Sequence, residues 1–209
     1  LPGVVGIAAT QINVFVNTWL AHSEGTGAVS WLNYAFRLMQ FPIGLFGVSL
    51  AVATQPQVSR HWTEKQFDQA GEVLSKSLKQ VFAINLPASA GLFFLGVPII
   101  QLIFQQGAFQ FSDTEATALA LGAYALGLTA YSVVKVLVPI FYAFGNTRIP
   151  VLSSGLAVLF NLIFNILLVR SLGFWGLALG TSLAALLNSG ILLFFVSQEF
   201  HRQGAVLRV

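Results

Sequence analysis

Three sets of residues in this chain can do chemistry, and all of them sit inside apolar runs. Arg37 lies within WLNYAFRLMQFPIGLFG (31–47), with Gln40 one turn further on and Pro42 and Gly44 beyond it. A guanidinium is never neutral in practice, and placing one in hydrocarbon costs at least ~2.5–3.5 kcal/mol on insertion scales. A helix that keeps one can present it to a wet cavity, where its forked donors bond two oxygens of a phosphate at once. Asn33, at i−4, and Gln40, at i+3, fall on neighbouring faces. Lys135 is a second cation within an apolar run. The alternative for both cations is to snorkel to the nearer interface as anchors.

The third set is made of amides. Gln11, Asn13 and Asn17 occupy the first apolar run, Asn161 and Asn165 repeat the i,i+4 spacing in a later one, and Thr181 and Asn188 follow. Interhelical hydrogen bonding explains such residues at ~0.6 kcal/mol each, and this reading comes first. The sharper reading is a cluster of Asn17, Asn161, Asn165 and Thr181 that offers oxygens to a sodium ion, weakly, because no carboxylate compensates the charge. No P-loop, no GxGxxG followed by an acid, no HExxH and no carboxylate pair within an apolar run is present. No catalytic residue is therefore assigned, and any energy must come from a gradient, the membrane potential or a partner. His22, His61 and His201 are scattered over polar segments, and cysteine is absent, which removes disulfides and thiol chemistry.

The elements that position these residues follow from charge-free windows. Of 209 residues, 56% are hydrophobic and 8% charged, against ~25% charged in soluble domains. An all-α, polytopic membrane protein is expected, with spans at about 2–21, 29–53, 81–104, 115–144, 150–169 and 175–198. Residues 57–80 carry Arg60, Glu64, Lys65, Asp68, Glu72, Lys76 and Lys79 beside apolar positions near helical spacing. They read as an amphipathic helix on the membrane surface, with Thr63 and Gln66 as a capping box. Alternate loops place Arg60, Lys65, Lys76, Lys79, Arg148, Arg202 and Arg208 on one side and Arg170 alone on the other. That asymmetry makes the first side, with both ends of the chain, cytoplasmic. The chain opens on Leu1-Pro2 rather than Met, so a piece of a longer protein is expected.

Several stretches together resemble the MurJ/MviN lipid II flippase family: QINVFVNTWLA (11–21), WLNYAFRLMQFPIGLFGVSLAVATQPQVSR (31–60), FQQGAF (104–109), KVLVPIFYAFGNTRIP (135–150) and GFWGLALGTSLAALLN (173–188). The resemblance covers essentially the whole chain. It implies the second six-helix lobe of a two-lobed, fourteen-helix transporter, with the first lobe and last two helices outside this chain. The implied activity is turning lipid II, the lipid-linked peptidoglycan precursor, from the inner to the outer leaflet of the bacterial inner membrane by alternating access. Arg37 matches the arginine of the YA-x-R-L motif, which in the family faces the central cavity and engages the diphosphate; Gln40 and Lys135 join it as substrate-binding residues. Asn17, Asn161, Asn165, the Leu177 carbonyl and Thr181 match the sodium site of some members. Two departures stand out: Phe36 replaces a commonly acidic residue, and Asn17 and Asn165 stand where sodium-binding members carry Asp. They turn the expectation from sodium coupling toward the membrane potential. Expected partners are lipid II, membrane lipids, the rest of the full-length protein and wall-synthesis proteins, with no nucleic acid. The alternatives are an exporter of other polyprenyl-diphosphate-linked oligosaccharides and a non-transporting scaffold for wall synthesis.

Overall fold

The computed structural model describes residues 2–207, with side-chain surroundings from Gln11 onward except for Ile12 and Asn13. The pairing expected of Asn13 lies outside the described residues. Among them the chain is all α: α1 (Pro2–Ser23), α2 (Ala28–Pro42), a π-helical turn (Ile43–Val48), α3 (Ser49–Thr63), α4 (Phe67–Phe94), α5 (Gly96–Phe104), α6 (Phe111–Ala125), α7 (Leu128–Ala143), α8 (Arg148–Leu172) and α9 (Phe174–Arg202). The stretch Ala28–Thr63, with α8 and α9, is long and apolar enough to cross a membrane. Two further pairs qualify only if each is taken as one bent span.

The 57–80 helix and its capping box need correction, and two of the expected spans are bent. No single helix forms over 57–80: α2, the π turn and α3 make one rod of 36 residues, and the chain reverses at 64–66 into α4. Lys65 takes a left-handed φ of 60° at that reversal. The apolar stripe that reads as membrane-facing is instead the seam of this hairpin. Val58 of α3 and Ala70, Leu74 and Leu78 of α4 are buried in one cluster. Thr54 Oγ1 donates to Ser77 Oγ at 2.7 Å inside the seam. The capping box is not made, because Thr63 Oγ1 donates to the Ser59 carbonyl at 2.9 Å, one turn back in its own helix.

The span expected over 81–104 bends by 74° between α4 and α5. Gly96 and Pro98 open the short second helix, and Pro98 has no N–H to continue the ladder from Phe94. The span expected over 115–144 is broken between α6 and α7 by 46°. Here Gly127 brings backbone against α9, where a Cβ would stand 2.8 Å from Ser182 Cα. A break buried in a lipid-embedded bundle must satisfy its own carbonyls. Ser182 Oγ donates to the Ala123 and Tyr124 carbonyls (2.7 and 3.2 Å), and Ser89 of α4 donates to that of Ala125.

The loops gather at two ends. At one, Trp62 stacks on Phe144 (centroids 3.7 Å apart) and meets Phe67 and Phe200 edge-on. At the other, Trp31 packs on Phe174, Tyr34 meets Phe104 and Phe109, and Trp31 Nε1 donates to Asp113 Oδ1 at 2.8 Å. Each end has its own apolar core, one built around Met39, Leu121 and Leu128, the other around Leu74, Leu137 and Phe200. Small residues on α9 set the helix spacing between them. Gly176 and Gly180 abut α8, while Ser182 abuts the α6–α7 break.

Candidate functional site

The amides named from sequence meet. Asn17 of α1, Asn161 and Asn165 of α8, and Thr181 of α9 form one connected network. Asn165 Nδ2 donates to Asn17 Oδ1 at 2.6 Å and to Asn161 Oδ1 at 3.1 Å. Asn17 Nδ2 reaches Asn161 Oδ1 at 3.4 Å, and Asn161 Nδ2 reaches Thr181 Oγ1 at 3.4 Å. Thr181 Oγ1 in turn donates to the Leu177 carbonyl at 2.7 Å. Asn161 and Asn165 are buried one above the other because i,i+4 puts them on one helix face. Gly180 supplies the space, since a Cβ there would run into Asn165 Oδ1. Gln11 is exposed, and Asn188, on α9, has a buried Oδ1 with no hydrogen-bond partner among the described residues.

Beside this network a cavity of about 350 Å³ opens between α1, α2, α6, α7 and α9. Asn17, Asn33, Phe36, Tyr124, Tyr131 and Thr181 line it. Phe36, the residue before the arginine, turns inward and meets Tyr124 edge-on at 5.4 Å. It fills protein interior and leaves its neighbour to face outward.

Arg37 faces away from this bundle. It shares an exposed stripe of the rod with Asn33, Gln40, Phe41, Gly44, Leu45, Val48 and Val52, and Phe41 and Val52 are 71% and 67% exposed. Arg37 makes no hydrogen bond or ion pair among the described residues, where the ion pair is Arg202–Glu199 at 3.8 Å. Gln40 is exposed on the same stripe. Asn33 turns back to donate to the Val29 carbonyl at 2.7 Å. Lys135 is exposed on α7, one turn beyond Tyr131, and is not bonded to Arg37 among the described residues.

Directly below Arg37 the rod changes winding. The π turn Ile43–Val48 follows Pro42, whose missing N–H breaks the ladder, and Gly47 within it lies flush on α7. A Cβ on Gly47 would stand 2.8 Å from Ser132 Oγ. Pro42 and Gly44 signal a loosened helix in the sequence, but nothing there signals the contact with Ser132. That hydroxyl also donates to Asn85 Oδ1 at 3.0 Å, linking α7 to α4. These buried hydroxyls and Asn85 escape sequence reading because single polar residues in apolar runs look alike until their partners are placed.

The fold defines the class. It is shared with a MOP superfamily transporter from Pyrococcus furiosus (TM-score 0.80 at 15% identity, over 100% of this chain and 45% of that one). An outward-facing MATE family multidrug transporter gives 0.79 at 15% identity, over 93% and 43%. The helices superpose on somewhat under half of each of those chains. Within that class the sequence is specific. The model of the family described as lipid II flippase MurJ matches residues 1–207, and the chain belongs to this family. A MurJ structure in an inward closed conformation gives a TM-score of 0.82 at 30% identity, over 95% of this chain and 43% of that one. The probable lipid II flippase MurJ of Vibrio cholerae is 33% identical over 98% of this chain and 38% of its own length. That of Rickettsia prowazekii is 34% identical over 95% and 39%. The chain thus spans well under half the length of the curated relatives it matches.

Proposed function

We propose that this chain forms one lobe of a transporter, not an enzyme, that turns lipid II from the inner to the outer leaflet of the bacterial inner membrane by alternating access. Family membership supports lipid II as the cargo. The observation that carries the site is the unpaired Arg37 on the open stripe of the rod. The precursor's diphosphate binds Arg37, with Gln40 donating beside it and Lys135 adding positive potential, while the polyprenyl tail stays in lipid. The end that carries Arg60, Lys65, Arg148 and Arg202 faces the cytoplasm, and the stripe faces the other lobe of the full-length protein. The π turn lets the upper part of the rod pivot on Gly47 as the lobes exchange access.

The test is Arg37→Ala beside Arg37→Lys in the full-length protein, by complementation of a depleted strain and by flipping of labelled lipid II in vesicles. Hydrogen bonds to a charged group are worth ~1.5–3 kcal/mol, so Ala should slow flipping roughly ten- to a hundredfold. Lys retains part of the rate, because it keeps the charge but loses the fork. Normal growth and flipping of Arg37→Ala at normal protein level overturns the assignment. Equal transport of a different polyprenyl-diphosphate-linked oligosaccharide in competition overturns the choice of cargo.

A further inference from the structure

The polar cluster between α1, α8 and α9 does not fit a cation as it stands. Its four side chains are neutral, and among the described residues no group of three His, Asp or Glu is placed to hold a metal. The decisive feature is where its nitrogens lie. Asn165 Nδ2 sits between two oxygens, 2.6 Å from Asn17 Oδ1 and 3.1 Å from Asn161 Oδ1. Those oxygens are the ones an ion would need. Asn161 Nδ2 is directed at Thr181 Oγ1, and the Thr181 proton goes to the Leu177 carbonyl. Among the described residues Asn165 Oδ1 is buried without a hydrogen-bond partner, but it is pressed against Gly180.

We propose that Asn165 is a tethered stand-in for a cation. Its N–H groups carry the partial positive charge that gathers the oxygens of α1 and α8, and they clamp α1 to the α8–α9 hairpin without a metal ion. The clamp is built from neutral groups, so this junction closes independently of sodium concentration. One substitution converts it. Asn165→Asp removes the central donors and sets carboxylate oxygens against Asn17 Oδ1 and Asn161 Oδ1. Four oxygens then face one another and separate unless a cation enters, and the cavity of about 350 Å³ lined by Asn17 and Thr181 gives one a route. The inference rests on the clamp's geometry and not on the transported lipid.

The experiment is thermal unfolding of the full-length protein in detergent, titrated with NaCl against KCl at constant ionic strength. The unsubstituted protein should melt at the same temperature in both salts. Asn165→Asp should melt lower in KCl and regain about 2–4 °C or more in NaCl, saturably. Should Asn165→Asp fail to fold in KCl, the variant purified in NaCl serves as the second measurement, and exchange into KCl should lower its melting temperature by about the same 2–4 °C or more. A saturable, sodium-specific rise in the unsubstituted protein overturns the proposal. So does equal stability of Asn165→Asp in both salts.

Discussion

Gly127→Ala tests how the broken span is held. The new Cβ would stand 2.8 Å from Ser182 Cα and Oγ and 2.9 Å from its Cβ, roughly 0.7 Å inside the optimum for a non-bonded pair. One of these atoms is backbone, so rotating a side chain cannot relieve the contact, and α9 must withdraw. Overpacking of this kind costs about 1–3 kcal/mol. Withdrawal also lengthens the Ser182 bonds to the Ala123 and Tyr124 carbonyls, now 2.7 and 3.2 Å, at ~0.6–1.7 kcal/mol each in a membrane setting. The better helix propensity of Ala returns at most ~1 kcal/mol. A net loss of about 2–3 kcal/mol lowers the melting temperature by roughly 4–12 °C where these helices melt as a unit of their own, and by roughly 2–3 °C where the full-length protein melts as one. Full-length protein in detergent, followed by fluorescence-detected size-exclusion chromatography after heating, gives the readout. Adding Ser182→Gly removes two of the three clashing atoms and should recover part of the loss. A single variant that melts within about 1 °C of the parent refutes the backbone contact between the α6–α7 break and α9.

Three further outcomes are expected. Asn17→Ala unties α1 from α8, and because the chain has no cysteine, a single Cys at buried Ala21 should be labelled by maleimide several-fold faster in that background. Asp113→Ala removes the acceptor for Trp31 Nε1 and the carboxylate that accepts the Gln110 N–H at 2.8 Å; a stability loss of about 1–2 kcal/mol is expected by thermal unfolding. Trp62→Ala empties the stack on Phe144 and the edge contacts to Phe67 and Phe200, a loss of about 3 kcal/mol that should appear as a lower yield of folded protein after solubilisation.

The helical class and the positions of the apolar segments are legible in the sequence because lipid imposes one rule on every segment: about 20 apolar residues with their backbone bonds closed internally. The amides are legible because Asn161 and Asn165 repeat an i,i+4 spacing that forces them onto one face. Residues 57–80 mislead for a physical reason. An amphipathic stripe buries equally well against lipid headgroups or against another helix, and periodicity cannot tell Leu74 in a seam from Leu74 on a membrane. The 46° break at 126–127 is hidden because its cause is a distant partner, Ser182, which satisfies the exposed carbonyls. Phe36 shows the limit of reading by neighbours. It is adjacent to Arg37 in sequence, yet it belongs to the interior with Tyr124 while the arginine belongs to the open stripe.

The rod Ala28–Thr63 also acts as a ruler. Trp31 and Trp62 each anchor an aromatic cluster, and the 31 residues between them correspond to ~47 Å of helix. That is close to the ~40–45 Å of a bilayer with its headgroups. The two indoles therefore sit at or just beyond opposite interfaces, and Arg37 begins about 9 Å inside one of them. A thinner bilayer cannot shorten the rod, because both ends are stapled to other helices; it must tilt the whole lobe or be thickened around it. Bilayer thickness thereby becomes a variable that sets how deep the guanidinium lies, without any change in the protein's own contacts.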